Sequence, residues 1–113
     1  LFEAYVQAED PDVICLQETK LDSTTLPLSK KSTPFKRVGI LEDMGYKAYY
    51  NCSSSKKGYA GTAVFVKISG PLGLPIAVHK RVPGPSMEEA NAEGRTLALE
   101  FAKLWIVNAY VPN

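Results

Sequence analysis

The spacing of hydrophobic and polar residues predicts a helix followed by a strand at the start of this 113-residue chain. In residues 1–9 the hydrophobic positions fall on one side of a helical repeat, which predicts an amphipathic helix packed on a sheet. Pro11 ends this helix, because proline pushes the preceding residue out of helical geometry. The unbroken hydrophobic run that follows predicts a strand over residues 13–18, buried on both faces and with Cys15 as a core residue.

The rest of the chain alternates between strand patterns and polar connections. Strands are predicted over residues 46–52, 62–68, 75–82, 96–101 and 104–111. Ala102-Lys103 separates the last two strands, a spacing typical of a hairpin. Residues 20–37 predict a surface connection with a helical turn near 26–28, and residues 38–45 a short helix ending at Gly45. Residues 83–94 predict a mobile connection.

A helix or two over several mostly antiparallel strands is an α+β layered fold, and not a helical bundle or a doubly wound sheet. With 113 residues, 45% of them hydrophobic and 22% charged, the chain has room for one domain and a modest core. It opens in a helical pattern without Met and stops as a strand ends, so we expect it to be truncated at both ends.

The net charge and the two cysteines exclude few classes of function. The net charge is +1, although the pairs Lys56-Lys57 and Lys80-Arg81 suit either a nucleic-acid-binding face or a solvated surface. The two cysteines make neither a disulfide framework nor a metal-ligand spacing. No hydrophobic stretch approaches the roughly 20 residues that a membrane span needs. We therefore expect no membrane partner and an intracellular protein.

Polar residues form four motifs at predicted strand ends or in loops. The motifs are Gln17-Glu18-Thr19-Lys20, Gly58-Tyr59-Ala60-Gly61-Thr62, Glu93-Gly94-Arg95 and Asn108-Ala109-Tyr110-Val111-Pro112-Asn113. Glu18 follows a strand at the rim of the sheet, where such sheets collect ligands, and is the best single functional candidate. The alternative is that Glu18 ends the strand and faces water.

Each of the other motifs also has two interpretations. Tyr59 is suited to lie against a sugar-phosphate chain, or its flanking glycines serve only a turn. Arg95 offers a planar fork for phosphate oxygens, or forms a surface ion pair. Asn108 and Tyr110 share one face of a strand and can hydrogen-bond a phosphate, or Tyr110 is half-buried with its hydroxyl satisfied. His79, the only histidine, is interpreted as a strand residue and not as a catalytic base.

In their order and intervals, the four motifs resemble those of the exonuclease III-like apurinic/apyrimidinic endonucleases. These enzymes belong to the endonuclease/exonuclease/phosphatase superfamily. Gln-Glu-Thr fits the wider superfamily, and the other three motifs narrow the resemblance to its DNA-repair branch. The resemblance implies a four-layered α/β sandwich, with two mostly antiparallel sheets between helices. Residues 1–113 would be about the first half of this single domain, its N-terminal portion.

The resemblance also implies a function: cleavage of double-stranded DNA on the 5′ side of abasic sites, with Mg²⁺, or Mn²⁺ in its place, and an activated water. By resemblance Glu18 is a metal ligand, Tyr110 holds the scissile phosphate and Asn113 contacts an oxygen beside it. Lys20, Tyr59 and Arg95 contact the DNA backbone. The enzyme would be monomeric, in the nucleus or mitochondrion of a eukaryote or the cytoplasm of a bacterium.

Three parts of the family pattern do not occur in this sequence: an earlier strand with a metal-site residue, a Gly-Asp-x-Asn segment and a Ser-Asp-His segment. One carboxylate is a poor Mg²⁺ site, so we expect these 113 residues alone to be inactive. Two alternatives remain beside the abasic-site endonuclease. One is another phosphodiesterase of the superfamily, and the other is a non-catalytic DNA-binding module.

Overall fold

A computed structural model describes residues 1–112, which contain six strands, two α-helices and one short 3-10 helix. In chain order these are α1 (Phe2–Glu9), β1 (Val13–Gln17), the 3-10 helix (Glu42–Met44), β2 (Tyr46–Asn51), β3 (Thr62–Lys67), β4 (Ala77–His79), α2 (Glu88–Ala92), β5 (Thr96–Glu100) and β6 (Trp105–Ala109). In this part of the chain, neither helix has the length and hydrophobicity needed to cross a bilayer.

The first sheet has the order β1-β3-β2, with both pairs antiparallel. Its central strand, β3, is hydrophobic on both faces, because it lies between two layers. Ala63 and Phe65 pack with Val6 of α1 on one face. Val64 and Val66 point to the opposite face.

The second sheet has the order β4-β5-β6 and is also antiparallel, with β5 and β6 joined as the predicted hairpin. Leu97 and Leu99 of β5 are fully buried and pack with Val64 and Val66 of β3. Helix α1, the first sheet and the second sheet therefore form three successive layers. The predicted α+β fold with two antiparallel sheets is confirmed.

A buried asparagine joins the two sheets. Asn108 of β6 is 2% exposed, and its Nδ2 donates to Leu16 O at 2.9 Å and to Ala63 O at 3.0 Å. Its Oδ1 accepts a hydrogen bond of 3.0 Å from Gln17 Nε2. One side chain of the second sheet therefore binds two strands of the first.

Strand β1 differs from the prediction of burial on both faces. It is an edge strand that pairs with β3 only, and Cys15 is exposed instead of belonging to the core. Ile14 and Leu16 are partly buried against the cluster beneath α1. On the opposite face Val13 is partly buried against the cluster between the sheets, so only part of that face, at Cys15 and Gln17, is exposed.

The polar connections also differ from their predictions. Residues 83–94, predicted as a mobile connection, contain α2, and the predicted helix over 38–45 is limited to the 3-10 turn Glu42–Met44. Gly45 ends that turn with a φ of 88°, as predicted. Residues 26–28 form no helical turn, since Leu28 makes an isolated antiparallel bridge.

Candidate nucleic-acid interface

The predicted site residues meet in one cleft of about 200 Å³. The cleft is lined by Glu18, Lys20, Lys56, Gly58, Tyr59, Ala60, Arg95 and Tyr110. The five residues within 1–112 to which the resemblance gives a role are all in this group, although they come from four separate parts of the sequence. Asn113, the sixth candidate, lies outside the described residues. A larger cleft of about 660 Å³ between α1 and residues 30–46 shares none of these residues.

The backbone that follows β1 holds Glu18 and Lys20 in an unusual conformation. Their φ angles are 55° and 54°, and φ of Ala60, across the cleft, is 48°. Thr19 N donates to Gly61 O at 3.2 Å, and Lys20 N donates to Ala60 O at 2.8 Å, which extends the pairing of β1 with β3. Left-handed backbone at a non-glycine residue costs about 1–3 kcal/mol, and such strain tends to cluster at functional sites.

Glu18 carries the carboxylate of the cleft. Its side chain is half exposed, and Lys20 Nζ lies 3.7 Å from its Oε1. A carboxylate oxygen is a ligand that Mg²⁺ prefers, and an exposed lysine is easily displaced from such a pair. Residues 1–112 bring no three His, Cys, Asp or Glu side chains together as a metal site. Glu18 therefore offers one carboxylate to a divalent cation, and the other described residues do not complete a site around it.

Arg95 is held between an acid and two aromatic rings. Its Nε donates to Glu93 Oε1 at 2.8 Å, and both side chains are largely buried. Its guanidinium carbon lies 4.8 Å from the ring centre of Tyr110 and 5.8 Å from that of Tyr59. The hydrogen bond that Arg95 donates to Glu93 raises the pKa of Arg95 further, so its side chain stays positively charged at any accessible pH.

The glycine of the Glu-Gly-Arg motif is required by the backbone itself. Gly94 has a φ of 66°, and an added Cβ would lie 2.6 Å from Asn51 O at the end of β2. Gly94 O accepts a hydrogen bond of 3.0 Å from the buried Thr62 Oγ1. Arg95 O accepts one of 2.7 Å from Tyr110 N. Arg95 is therefore anchored to both sheets.

Two residues of this region were missing from the predicted set. Lys56 lines the cleft, with its Nζ 5.7 Å from the ring centre of Tyr59. Glu93 orients Arg95 through the bond described above. The sequence showed Lys56 only as half of a basic pair, and the pattern alone did not distinguish it from Lys57.

Asn108 does not contact the cleft in the way its pattern suggested. One of the two interpretations placed its amide with Tyr110 at the rim, where both can hydrogen-bond a phosphate. Its amide instead bonds backbone and side-chain groups between the sheets. His79 is a strand residue, as interpreted, with its Nε2 3.2 Å from Glu100 Oε1 and its ring stacked on Trp105.

Comparison with known families identifies the class of protein that this fold and cleft define. Residues 1–106 match the Endonuclease/Exonuclease/phosphatase family, and the chain therefore belongs to it. The membership that the four motifs indicated is confirmed.

Two individual relatives whose names describe nucleases are similar in sequence to nearly all of this chain. It is 36% identical over 112 residues to an Exodeoxyribonuclease of Bacillus subtilis, a match that covers 99% of this chain and 36% of that protein. It is 36% identical over 109 residues to DNA repair nuclease APEX1 of Danio rerio, covering 96% of this chain and 30% of that protein. The chain thus spans about a third of the length of these relatives.

Comparison with solved structures finds the same fold in two other proteins. The structure is similar to AP endonuclease LMAP from Leishmania major, with a TM-score of 0.66 at 28% identity, covering 97% of this chain and 34% of that one. The Xenopus laevis APE2 catalytic domain has the same fold over 99% of this chain and 40% of that one, with a TM-score of 0.68 at 22% identity.

Proposed function

We propose that the protein containing these residues is a DNA-repair endonuclease that cleaves the backbone on the 5′ side of abasic sites. The observation that carries the proposal is one cleft that collects the carboxylate of Glu18, the cation of Arg95 and the rings of Tyr59 and Tyr110. Such a set suits a phosphodiester, since charge, hydrogen-bond donors and aromatic faces are all present. The relatives that are named as an exodeoxyribonuclease and a DNA repair nuclease support DNA as the substrate.

The cationic and aromatic side chains would bind and orient the DNA. Arg95 uses Nε for Glu93, while its Nη2 lies 3.3 Å from Tyr59 Oη and its Nη1 3.5 Å from Tyr110 O. Contacts of this length are weak, so a phosphate oxygen can replace them. Lys20 would contact the backbone beside Arg95. Tyr110 would hold the scissile phosphate from the second sheet, and Asn113 would contact an oxygen next to it.

Glu18 would serve as one carboxylate ligand of Mg²⁺, or of Mn²⁺ in its place. When bound, the cation supplies positive charge to the reacting phosphate and lowers the pKa of a water molecule. A second carboxylate ligand would come from another part of the protein, because Glu18 is the one acidic residue among residues 1–112 that lines the cleft. We therefore assign residues 1–113 to the N-terminal portion of a single catalytic domain. The whole enzyme would act as an intracellular monomer.

The test uses the full-length protein and a duplex that carries one tetrahydrofuran abasic analogue, with either Mg²⁺ or EDTA. We expect cleavage 5′ to the analogue that needs Mg²⁺ and falls about 100-fold or more in Glu18→Ala. Glu9→Ala is the matched control, since it removes an exposed carboxylate at the end of α1, outside the cleft, and should cleave normally. Cleavage that survives in EDTA or in Glu18→Ala contradicts the assigned role.

Two further substrates distinguish the alternatives. Preference for an intact duplex or for RNA indicates a different phosphodiesterase of the family. Tight binding without nicking, unchanged by EDTA, indicates a DNA-binding module and removes the enzyme interpretation.

A further inference from the structure

Of the three positively charged side chains that line the cleft, two are paired with a carboxylate. Lys20 faces Glu18 at 3.7 Å, and Arg95 bonds Glu93 at 2.8 Å. Within residues 1–112, no carboxylate lies within ion-pair distance of Lys56. Since the two other cations each have a carboxylate, the net positive charge of the cleft comes from Lys56.

Lys56 is also placed where a ligand of Tyr59 would meet it. Its Nζ lies 5.7 Å from the centre of the Tyr59 ring, and the Arg95 guanidinium carbon lies 5.8 Å from the same ring. The backbone N of Lys56 donates to Ser53 Oγ at 3.2 Å, and Ser54 N donates to the carbonyl of Ala92 at 2.7 Å. The base of the Lys56 side chain is therefore tied to the end of α2.

The neighbouring lysine has a different environment. Lys57 Nζ lies 3.8 Å from Asp22 Oδ2, and Lys57 does not line the cleft. The two lysines carry the same charge and are adjacent in the sequence. They therefore form a matched pair in which only one member faces the candidate site.

We propose that Lys56 binds a phosphate of the DNA backbone in this cleft, as a cationic contact separate from Arg95. The inference rests on the proposed action on DNA and adds a residue outside the four motifs. Lysine is a compact point charge with rotatable donors, which suits a non-directional backbone contact. Such a contact positions the duplex without reading its sequence.

Binding is measured by fluorescence anisotropy with the full-length protein in EDTA. The probes are a labelled duplex with one tetrahydrofuran analogue and the same duplex without it, between about 50 and 300 mM KCl. We expect Lys56→Ala to weaken binding about five- to tenfold at about 0.1 M salt and to lower the salt slope by about 1, equally on both duplexes. Lys57→Ala should change affinity less than about twofold, and Lys56→Arg should retain the wild-type slope.

The outcomes separate this inference from the proposed function. If the wild type nicks abasic DNA while Lys56→Ala and Lys57→Ala bind alike, Lys56 is no phosphate contact and the endonuclease proposal stands. If the wild type binds through Lys56 but never nicks, the contact stands and the endonuclease proposal is wrong. If the wild type binds neither duplex at the lowest salt, both are wrong.

Discussion

Replacing Asn108 with alanine removes the side chain that holds the two sheets together. Both N–H groups of its amide are bonded to backbone carbonyls, those of Leu16 and Ala63. A hydrogen bond of this kind contributes about 1 kcal/mol, and a buried carbonyl left without a donor costs about 1–3 kcal/mol. The third partner, Gln17, is exposed and can bond water instead. We expect Asn108→Ala to lower the free energy of unfolding by about 2–4 kcal/mol.

That loss is large against a total stability of about 5–15 kcal/mol. It is measured by urea unfolding of the full-length protein. The slope of the unfolding free energy against urea concentration should be the same in the variant and the wild type. Val107→Ala is the control, because Val107 is 62% exposed and lies on the opposite face of the same strand. Its substitution should change the free energy of unfolding by less than about 0.5 kcal/mol.

A second substitution at Asn108 keeps the size of the side chain but replaces its hydrogen-bond donor with an acceptor. Asn108→Asp keeps the shape but places a carboxylate, which only accepts, against two carbonyl oxygens. It should destabilise at least as much as alanine. If either variant loses less than about 1 kcal/mol, the sheets are not joined through this amide. Unchanged stability with weakened DNA binding would instead favour the phosphate contact that the sequence pattern suggested.

Three further predictions concern the backbone, the arginine and pH. Gly94→Ala should lose about 3 kcal/mol or more of unfolding free energy, because the new Cβ meets backbone at 2.6 Å. Gly73→Ala, with nearly the same φ of 67° and nothing within 4 Å, isolates the conformational part and should cost about 1 kcal/mol. Glu93→Ala frees Arg95 and should weaken DNA binding, whereas Glu93→Gln keeps the acceptor and should bind at least as tightly as the wild type. If Glu93→Ala binds DNA as tightly as the wild type, Glu93 does not orient Arg95. Burial raises the pKa of Tyr46, so the folded state holds this proton more tightly, and stability should fall as pH rises above about 10. Tyr46→Phe should reduce that alkaline loss in unfolding measured from pH 8 to 11, and an unchanged pH profile would contradict it.

The convergence of the site could be predicted because strand ends carry the motifs. Glu18 comes just after β1 and Tyr59 just before β3, and antiparallel pairing of Gln17 with Thr62 brings those ends together. Arg95 and Tyr110 flank the β5–β6 hairpin in the same way. Order and spacing therefore account for the two pairs of side chains, one in each sheet, whereas the meeting of the pairs depends on how the sheets pack.

The errors concern properties that no single strand determines. The burial of β1 side chains depends on which layer packs on each face of the strand, and Cys15 is exposed although Val13, on the same face, is partly buried. The bonds of Asn108 depend on how closely the second sheet approaches the first. The difference between Lys56 and Lys57 arises from the direction of two adjacent side chains in a loop. These properties are determined by tertiary packing, and the alternation of hydrophobic and polar residues along the sequence does not encode them.

Residues that adjoin both sheets line the cleft, so the binding of a ligand there is linked to the docking of the sheets. Glu18 and Tyr59 adjoin the first sheet, while Arg95 and Tyr110 adjoin the second. A chain with only one sheet formed has half of these side chains and no place for a ligand. Any anion that fills the cleft therefore selects the state with both sheets docked, by about 2.7 kcal/mol at a hundredfold excess over its Kd. A ligand bound at this site would therefore also stabilise the interface between the sheets.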